Sequence, residues 1–364
     1  MTTTPPLAPA ISIAIPMYNV EKYIGACLES ILAQTFQDFE VVVVDNGSTD
    51  NSPAILESYI PKFGGRLKTF RIEKNSGSPA PAYNNAVALS RGKYVYVMDS
   101  DDLLVNNALE ILYNYAEKSN ADVIHMDNYW EFSSDNNKIL PSQQEVTIFS
   151  PPNAVKQPMW MIENKFERLK KVCGGFYTWP AWHKFLKRDF LIENDITFFD
   201  LKASSDVGWT IQVVCSAEKL LRIPNPLYVY RMLSSSLSHK KRTTEVNVNF
   251  WLDMLVNGIN SFDNWMKKQN FFQDNPQFKW LIFETIANDA INHMSGYIFS
   301  IPNIEYCKLV ESKLKKIFGE SASMLTYCFI SSVFSKLRCN MLLQNLNQLN
   351  NTIKTLQANQ QKGG

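Results

Sequence analysis

The sequence predicts an α/β protein: a mostly parallel central sheet flanked by helices, followed by a helical C-terminal region. Three observations predict it. Short β-prone runs alternate with helix-patterned runs through the first hundred residues, each β-prone run ends on a polar cluster, and the character of the chain changes near Thr243. Alternation of this kind needs crossover connections, which give parallel strands covered on both faces.

The strands are expected at Ile11–Ile15, Glu40–Val44, Leu67–Ile72 and Tyr94–Met98. Val41 to Val44 is continuously apolar, as a doubly covered central strand requires. Between the first two strands, Ile24, Cys27, Leu28, Ile31 and Leu32 recur at helical spacing within Val20–Thr35. Ser52 and Pro53 read as the N-cap and first turn of a second helix. Ala82–Ser90 reads as a third, ended by Arg91-Gly92. The loop Ser76–Asn84 before it carries Pro79 and Pro81 and should be stiff.

The polar clusters follow the strands in turn. They are Pro16-Met17-Tyr18-Asn19, Asp45 to Asp50, Lys74-Asn75-Ser76-Gly77, and Asp99-Ser100-Asp101-Asp102. All four fall at carboxyl ends of strands, the edge where open α/β sheets bind ligands. The last one stops an apolar run on three carboxylates within four residues. Taken alone it is also a good Asp-rich turn. Its hard oxygens suit Mg²⁺ or Mn²⁺, which are commonly held by one or two carboxylates together with substrate phosphates. No GxGxxG follows the first strand and no GxxxxGK[ST] occurs, so a dinucleotide site of the usual kind and a P-loop are set aside.

Composition narrows the class further. The 364 residues are 45% apolar and 20% charged, with a net charge of +1, so no global field draws the chain to nucleic acid. The six cysteines are scattered without a CxxC pair, as in a reduced cytoplasmic protein. Met1 to Ala10 lacks the features of a signal peptide, and Met324–Phe334 is too short to span a bilayer.

The segments IPMYNVEKYIGACLESILAQTFQDFEVVVVDNGSTDNS, RGKYVYVMDSDD, PAWHKFLKRDFL, SSDVGW and PLYVYRMLSSSLSH together resemble the family 2 inverting glycosyltransferases of the GT-A fold, over roughly Ile11 to His239. The resemblance implies a tail over 1–10, a nucleotide-sugar-binding and catalytic domain over 11–240, and a helical region over 241–364. It implies transfer of a sugar, with inversion, from a nucleotide-sugar (UDP-linked) to a hydroxyl of a glycan or lipid-linked oligosaccharide. Tyr18 matches the residue that stacks on the base, Asp45 the one that reads it, and Asp99 the one that touches the ribose. Pro16, Asn75, Tyr83 and Ser100 complete the donor-site candidates. Asp101 matches the metal-coordinating end of the DxD motif, and His239 is a further metal candidate. Asp206 matches the general base, and its other role would be to N-cap a helix over Val207–Ala217. Trp182, Lys184 and Trp209 are the acceptor-site candidates.

Three residues depart from the family pattern. Asn46 stands where a second Asp is common, Tyr83 where an Arg is common, and Ser205 where a Glu often precedes the base. These departures keep two rivals open: a nucleotidyltransferase on a similar sheet, and a non-catalytic nucleotide- or glycan-binding protein. Beyond Thr243, Trp251, Trp265 and Trp280 read as a helical core. Leu342, Leu346, Leu349, Ile353 and Leu356 are spaced as a coiled-coil seam for a homodimer, or as one amphipathic helix. Lys313–Phe318 carries the pattern of a peripheral membrane helix at the inner face of a cell membrane.

Overall fold

A computed structural model describes residues 8–298, except 134–138, 162–163, 175, 203 and 234–243, together with 312 and 315. The chain forms two compact units. The first comprises Met1–Lys241 and Val256–Thr285, the second Arg242–Leu255 and Ile286–Gly364. His239, the leucine seam and most of Lys313–Phe318 lie outside the described residues.

The first unit opens with the expected alternation. Strand β1 is Ile11–Met17, helix α1 Ile24–Leu32, β2 Phe39–Asp45, α2 Ser52–Tyr59, β3 Leu67–Arg71, α3 Ala80–Leu89 and β4 Tyr94–Val97. Every residue of β2 is buried, as its unbroken apolar run requires. Helix α1 is shorter than the Val20–Thr35 pattern; it buries Ile24, Cys27, Leu28 and Ile31. Asn51 rather than Ser52 occupies the N-cap of α2, and the Ser52 hydroxyl instead accepts from the Val20 N–H at 2.8 Å.

The chain continues through β5 (Leu103–Leu104), α4 (Ala108–Ser119), β6 (Val123–Met126), β7 (Tyr129–Ser133), β8 (Val146–Phe149) and β9 (Met159–Trp160). Then come α5 (Lys165–Cys173), β10 (Lys184–Lys187), α6 (Arg188–Glu193), α7 (Ser205–Ser216), β11 (Leu220–Ile223) and β12 (Tyr228–Met232). Among the described residues the main sheet has eight strands, in the order β3-β2-β1-β4-β10-β6-β11-β9. The neighbours from β3 to β4 are parallel. Strand β10 runs antiparallel to both β4 and β6 and separates them. Strands β6 and β11 pair in parallel. A second sheet, β5-β12-β7-β8, was not foreseen.

The core is continuous from Ile11, Ile13 and Ile15 through Tyr94 and Tyr96 to Phe185 and Tyr228. Each such side chain contributes about 1.5–3 kcal/mol through burial. After β12 come α8 (Thr244–Asp253) in the second unit, then α9 (Ile259–Met266) and α10 (Asn270–Asp274) in the first, and α11 (Phe278–Ile298). Of the three tryptophans expected in this core, Trp265 is buried, Trp251 half-buried and Trp280 71% exposed. No helix among the described residues is long and apolar enough to cross a membrane.

Candidate active site

The parallel register brings the polar clusters to one edge. Pro16 lies opposite Val44 and Met17 opposite Asp45. Just beyond, Asn19 adopts a left-handed conformation, φ 51°, which Asn tolerates better than most residues. Its side-chain carbonyl accepts from the Thr49 N–H at 2.8 Å, and its own N–H donates to the Ser48 hydroxyl at 3.0 Å. The loops after β1 and β2 are thereby tied together. Tyr18, between them, is 45% exposed, so its ring is accessible to a planar ligand.

Asp45 is buried and already well partnered. It accepts from the Ser48 N–H at 2.8 Å and from Arg71 at 2.7 Å. Arg71, the last residue of β3, was not among the expected site residues. Asn46 is a structural hub in place of the commoner carboxylate. Its amide donates to the Ser78 carbonyl at 2.9 Å, its side-chain oxygen accepts from the Ser76 hydroxyl at 3.1 Å, and its own carbonyl accepts from Asn75 at 3.0 Å. An Asp there would lose the donor to Ser78. Gly47 has φ +76°, and a Cβ on it would lie 2.6 Å from the Asn75 nitrogen. The loops after β2 and β3 thus pack backbone to backbone, with Asn75 held between them.

The acidic cluster after β4 divides by partner. Asp102 is buried; one oxygen accepts from the Tyr228 hydroxyl and the other from the Arg231 N–H, each at 2.7 Å. Arg231 Nε also donates to the Asp101 carbonyl at 2.7 Å. Asp102 is therefore a strap from the cluster to β12. Ser100 is buried, and Asp99 and Asp101 are half-buried. Burial, then repulsion from Asp101 and Asp206, raises the Asp99 carboxyl to about 7. Burial likewise raises Asp101, against the attraction of Arg231.

Tyr83 is not in a loop. The stiff segment turns into α3 two residues earlier than expected, with Pro79 as its N-cap. The Tyr83 ring is 6% exposed, stacks on Phe198 with centroids 4.5 Å apart, and donates its hydroxyl to Asp99. Phe198 in turn stacks on Trp209, centroids 5.0 Å apart, so an aromatic column links Asp99 to α7. Tyr83 is thus a packed donor to a site carboxylate.

Asp206 belongs to the first turn of α7 rather than to its N-cap, which is Ser204 with φ 55°. The side chain is half-buried. Burial raises its carboxyl to about 6, opposed by the attraction of Lys184. Trp182, Lys184 and Trp209 lie deeper than contact with an acceptor requires, at 4%, 0% and 1% exposure. Trp182 stacks on Tyr228 with centroids 4.3 Å apart. These three residues are packed in the interior.

Hard oxygens with raised proton affinity fit a divalent cation, since a cation relieves the same repulsion that a proton does. Among the described residues, no three His, Cys, Asp or Glu side chains form a closed metal cage. A cation here would take one or two carboxylates and draw its other ligands from a phosphorylated substrate.

The family model for glycosyl transferase family 2 matches residues 12–183. The glycosyltransferase GlyG of Streptococcus pneumoniae is 30% identical over 229 residues, 62% of this chain and 72% of GlyG. The chain belongs to glycosyl transferase family 2. This enzyme also resembles the poly(ribitol-phosphate) beta-glucosyltransferase of Bacillus spizizenii, 30% identical over 213 residues, though that stretch is 58% of this chain and 30% of the relative. A crystal structure of S. aureus TarS 1-349 in complex with UDP-GlcNAc shares its fold, with TM-score 0.60 and 22% identity over 91% of this chain and 92% of that one. The transferase is accordingly an α/β protein of the GT-A kind, and its membership of a glycosyltransferase family, not its fold, sets the nucleotidyltransferase and non-catalytic rivals aside.

Proposed function

We propose that this glycosyltransferase moves a sugar from a UDP-linked donor to a hydroxyl of a surface glycan, inverting the anomeric centre and using Asp206 as general base. The observation that carries this reading is the aromatic column that runs from Tyr83, the hydrogen-bond donor to Asp99, through Phe198 to Trp209 on α7, the helix whose first turn carries Asp206. The UDP-GlcNAc bound by TarS supports the choice of donor.

The chain's own groups divide the work. Tyr18 offers its exposed ring to the base, and Asp45, held by Arg71, presents a fixed acceptor beside it. Asp99 and Asp101 face the ribose and diphosphate. A bound Mn²⁺ or Mg²⁺ would neutralise charge on the departing diphosphate. At neutral pH, Asp206 with its carboxyl near 6 is mostly ionised, yet more basic than an ordinary aspartate. It takes the proton from the acceptor hydroxyl as that oxygen bonds to the anomeric carbon. The bond from that carbon to the diphosphate oxygen breaks on the opposite face, and the nucleoside diphosphate leaves with the electron pair.

Calorimetric titration of UDP with and without Mn²⁺, in the wild type and Asp101→Ala, tests the donor site. Metal-dependent binding lost in the variant, at an unchanged melting temperature, is the expected result. Equal binding in excess chelator would remove the metal from the reading. NMR of the product anomer tests inversion.

A further inference from the structure

The acidic loop after β4 is the crossing from the main sheet to the second one: β4 ends at Val97, and β5, which starts at Leu103, pairs with β12. Strand β12 holds that crossing at both ends. The Asp99 N–H donates to the Tyr228 hydroxyl at 3.2 Å, and the same hydroxyl donates to one Asp102 carboxylate oxygen at 2.7 Å. The other Asp102 oxygen accepts from the Arg231 N–H, and Arg231 Nε donates to the Asp101 carbonyl, each at 2.7 Å. One phenol thus joins the first carboxylate residue of the loop to the last, and one arginine fixes the peptide of Asp101. Both holders are themselves fixed. Tyr228 has no exposed surface, and its ring lies flat on Trp182, centroids 4.3 Å apart and planes 5° from parallel. The Arg231 guanidinium lies 5.0 Å from the Tyr23 ring and 5.2 Å from the Phe132 ring, and it donates to the Ile139 carbonyl at 2.8 Å.

We infer that Tyr228 and Arg231 are positioning residues that set the Asp99–Asp102 loop in its cation-binding shape before any cation or donor arrives. The inference rests on the reading of that loop as the place where a divalent ion meets the donor diphosphate. These bonds end on Asp102 and on main-chain atoms of Asp99 and Asp101, so they fix the loop without engaging the Asp101 carboxylate. A cation held by only one or two protein carboxylates gains little from the chain, so its affinity depends on how much of the loop is already ordered. Bonds to a rigid strand supply that order. Charge alone works the other way, because a guanidinium repels a cation bound beside it. If Arg231 favours cation binding, it does so by position.

Calorimetric titration of UDP into the whole chain, across a range of Mn²⁺ concentrations and in excess chelator, tests the inference. Tyr228→Phe keeps the stack on Trp182 and changes no charge. It should raise the Mn²⁺ concentration for half-maximal UDP binding by about 10–100-fold, the range for a lost outer partner of a metal ligand, with UDP affinity in chelator unchanged. Arg231→Met should raise the Mn²⁺ requirement too, whereas repulsion alone would lower it. An unchanged or lowered requirement in either folded variant overturns the inference, and so does an equal loss of UDP affinity in chelator, which marks general damage. Hydrogen exchange in the metal-free wild type decides the matter if neither variant folds. The Asp99 amide should be protected there, and exchange at the rate of an unstructured chain overturns the inference. A wild type that binds UDP equally with and without Mn²⁺ overturns the cation reading itself, whereas a metal-dependent wild type with indifferent variants overturns this inference alone.

Discussion

Two acidic sites lie along the same sheet and are treated oppositely. Asp127, just past β6, is buried and receives Arg222 from β11 through two bonds, at 3.0 and 2.7 Å, with the Val155 N–H at 2.6 Å as a third. Asp99, just past β4, receives a phenol from Tyr83 and faces two further carboxylates. The first arrangement satisfies a charge and fixes a loop. The second leaves charge repelling charge, which the folded chain alone does not relieve. A buried carboxylate matched by an arginine reads as architecture, whereas carboxylates gathered against one another read as a place prepared for a ligand.

The difference can be broken from either side. The largest effect is expected at Asp206→Asn, which should lower kcat by about 10²–10⁴-fold while donor affinity stays near wild type. Steady-state kinetics with a matched binding titration checks it, and collapse of donor binding at normal turnover would move Asp206 to the donor site. On the architectural side, Arg222→Ala leaves Asp127 buried and unpaired, and should cost about 3–5 kcal/mol of stability by denaturant titration. Activity per folded molecule should be unaffected. A loss under 1 kcal/mol would mean that Asp127 is reached by water.

Asp99 gives a smaller effect with a pH signature. Its folded pKa is about 7, above the ordinary aspartate value, so the folded chain holds this proton more tightly than the unfolded chain between about pH 4 and 7. Stability tied to Asp99 therefore falls as pH rises through that window. Asp99→Asn should stabilise the metal-free protein by about 1 kcal/mol at pH 8 and by nothing near pH 4. Denaturant midpoints at the two pH values check it; equal gains at both would assign the effect to packing. A change of similar size and opposite sign is expected from Tyr83→Phe, which keeps the stack on Phe198 and removes one hydrogen bond, costing about 0.5–1.5 kcal/mol. A larger loss, read by the same denaturant midpoints, would make the phenol a necessary partner of Asp99.

What the sequence made legible follows the same division. The parallel half was readable because its central strands are apolar runs closed by polar clusters, as at Val41–Asp45 and Tyr94–Asp99. The half beyond β4 was not. Strand β10 is four residues long and begins on a lysine, and β6 is interrupted by His125. Local pattern cannot show that Lys184 pairs opposite His125. Tyr83 was placed in a loop because Pro79 and Pro81 read as breakers, yet proline is tolerated in a first helical turn. Arg71 and Arg231 were missed because their partners lie 26 residues or more away in sequence. Cross-sheet partners of that kind leave no periodic signal.

The antiparallel seat of β10 has a consequence for how this molecule comes into being. Strands β4 and β6 are close in sequence, yet they never pair; β10, some sixty residues beyond β6, must enter between them. During synthesis, both strands therefore wait with open hydrogen-bonding edges until residue 187 is free of the ribosome. Open apolar edges are where chains associate wrongly. A nascent chain stopped short of β10 would carry the donor-side carboxylates on an unfinished sheet, without Asp206 to complete the site. The enzyme's vulnerable interval is thus the time taken to translate that insertion.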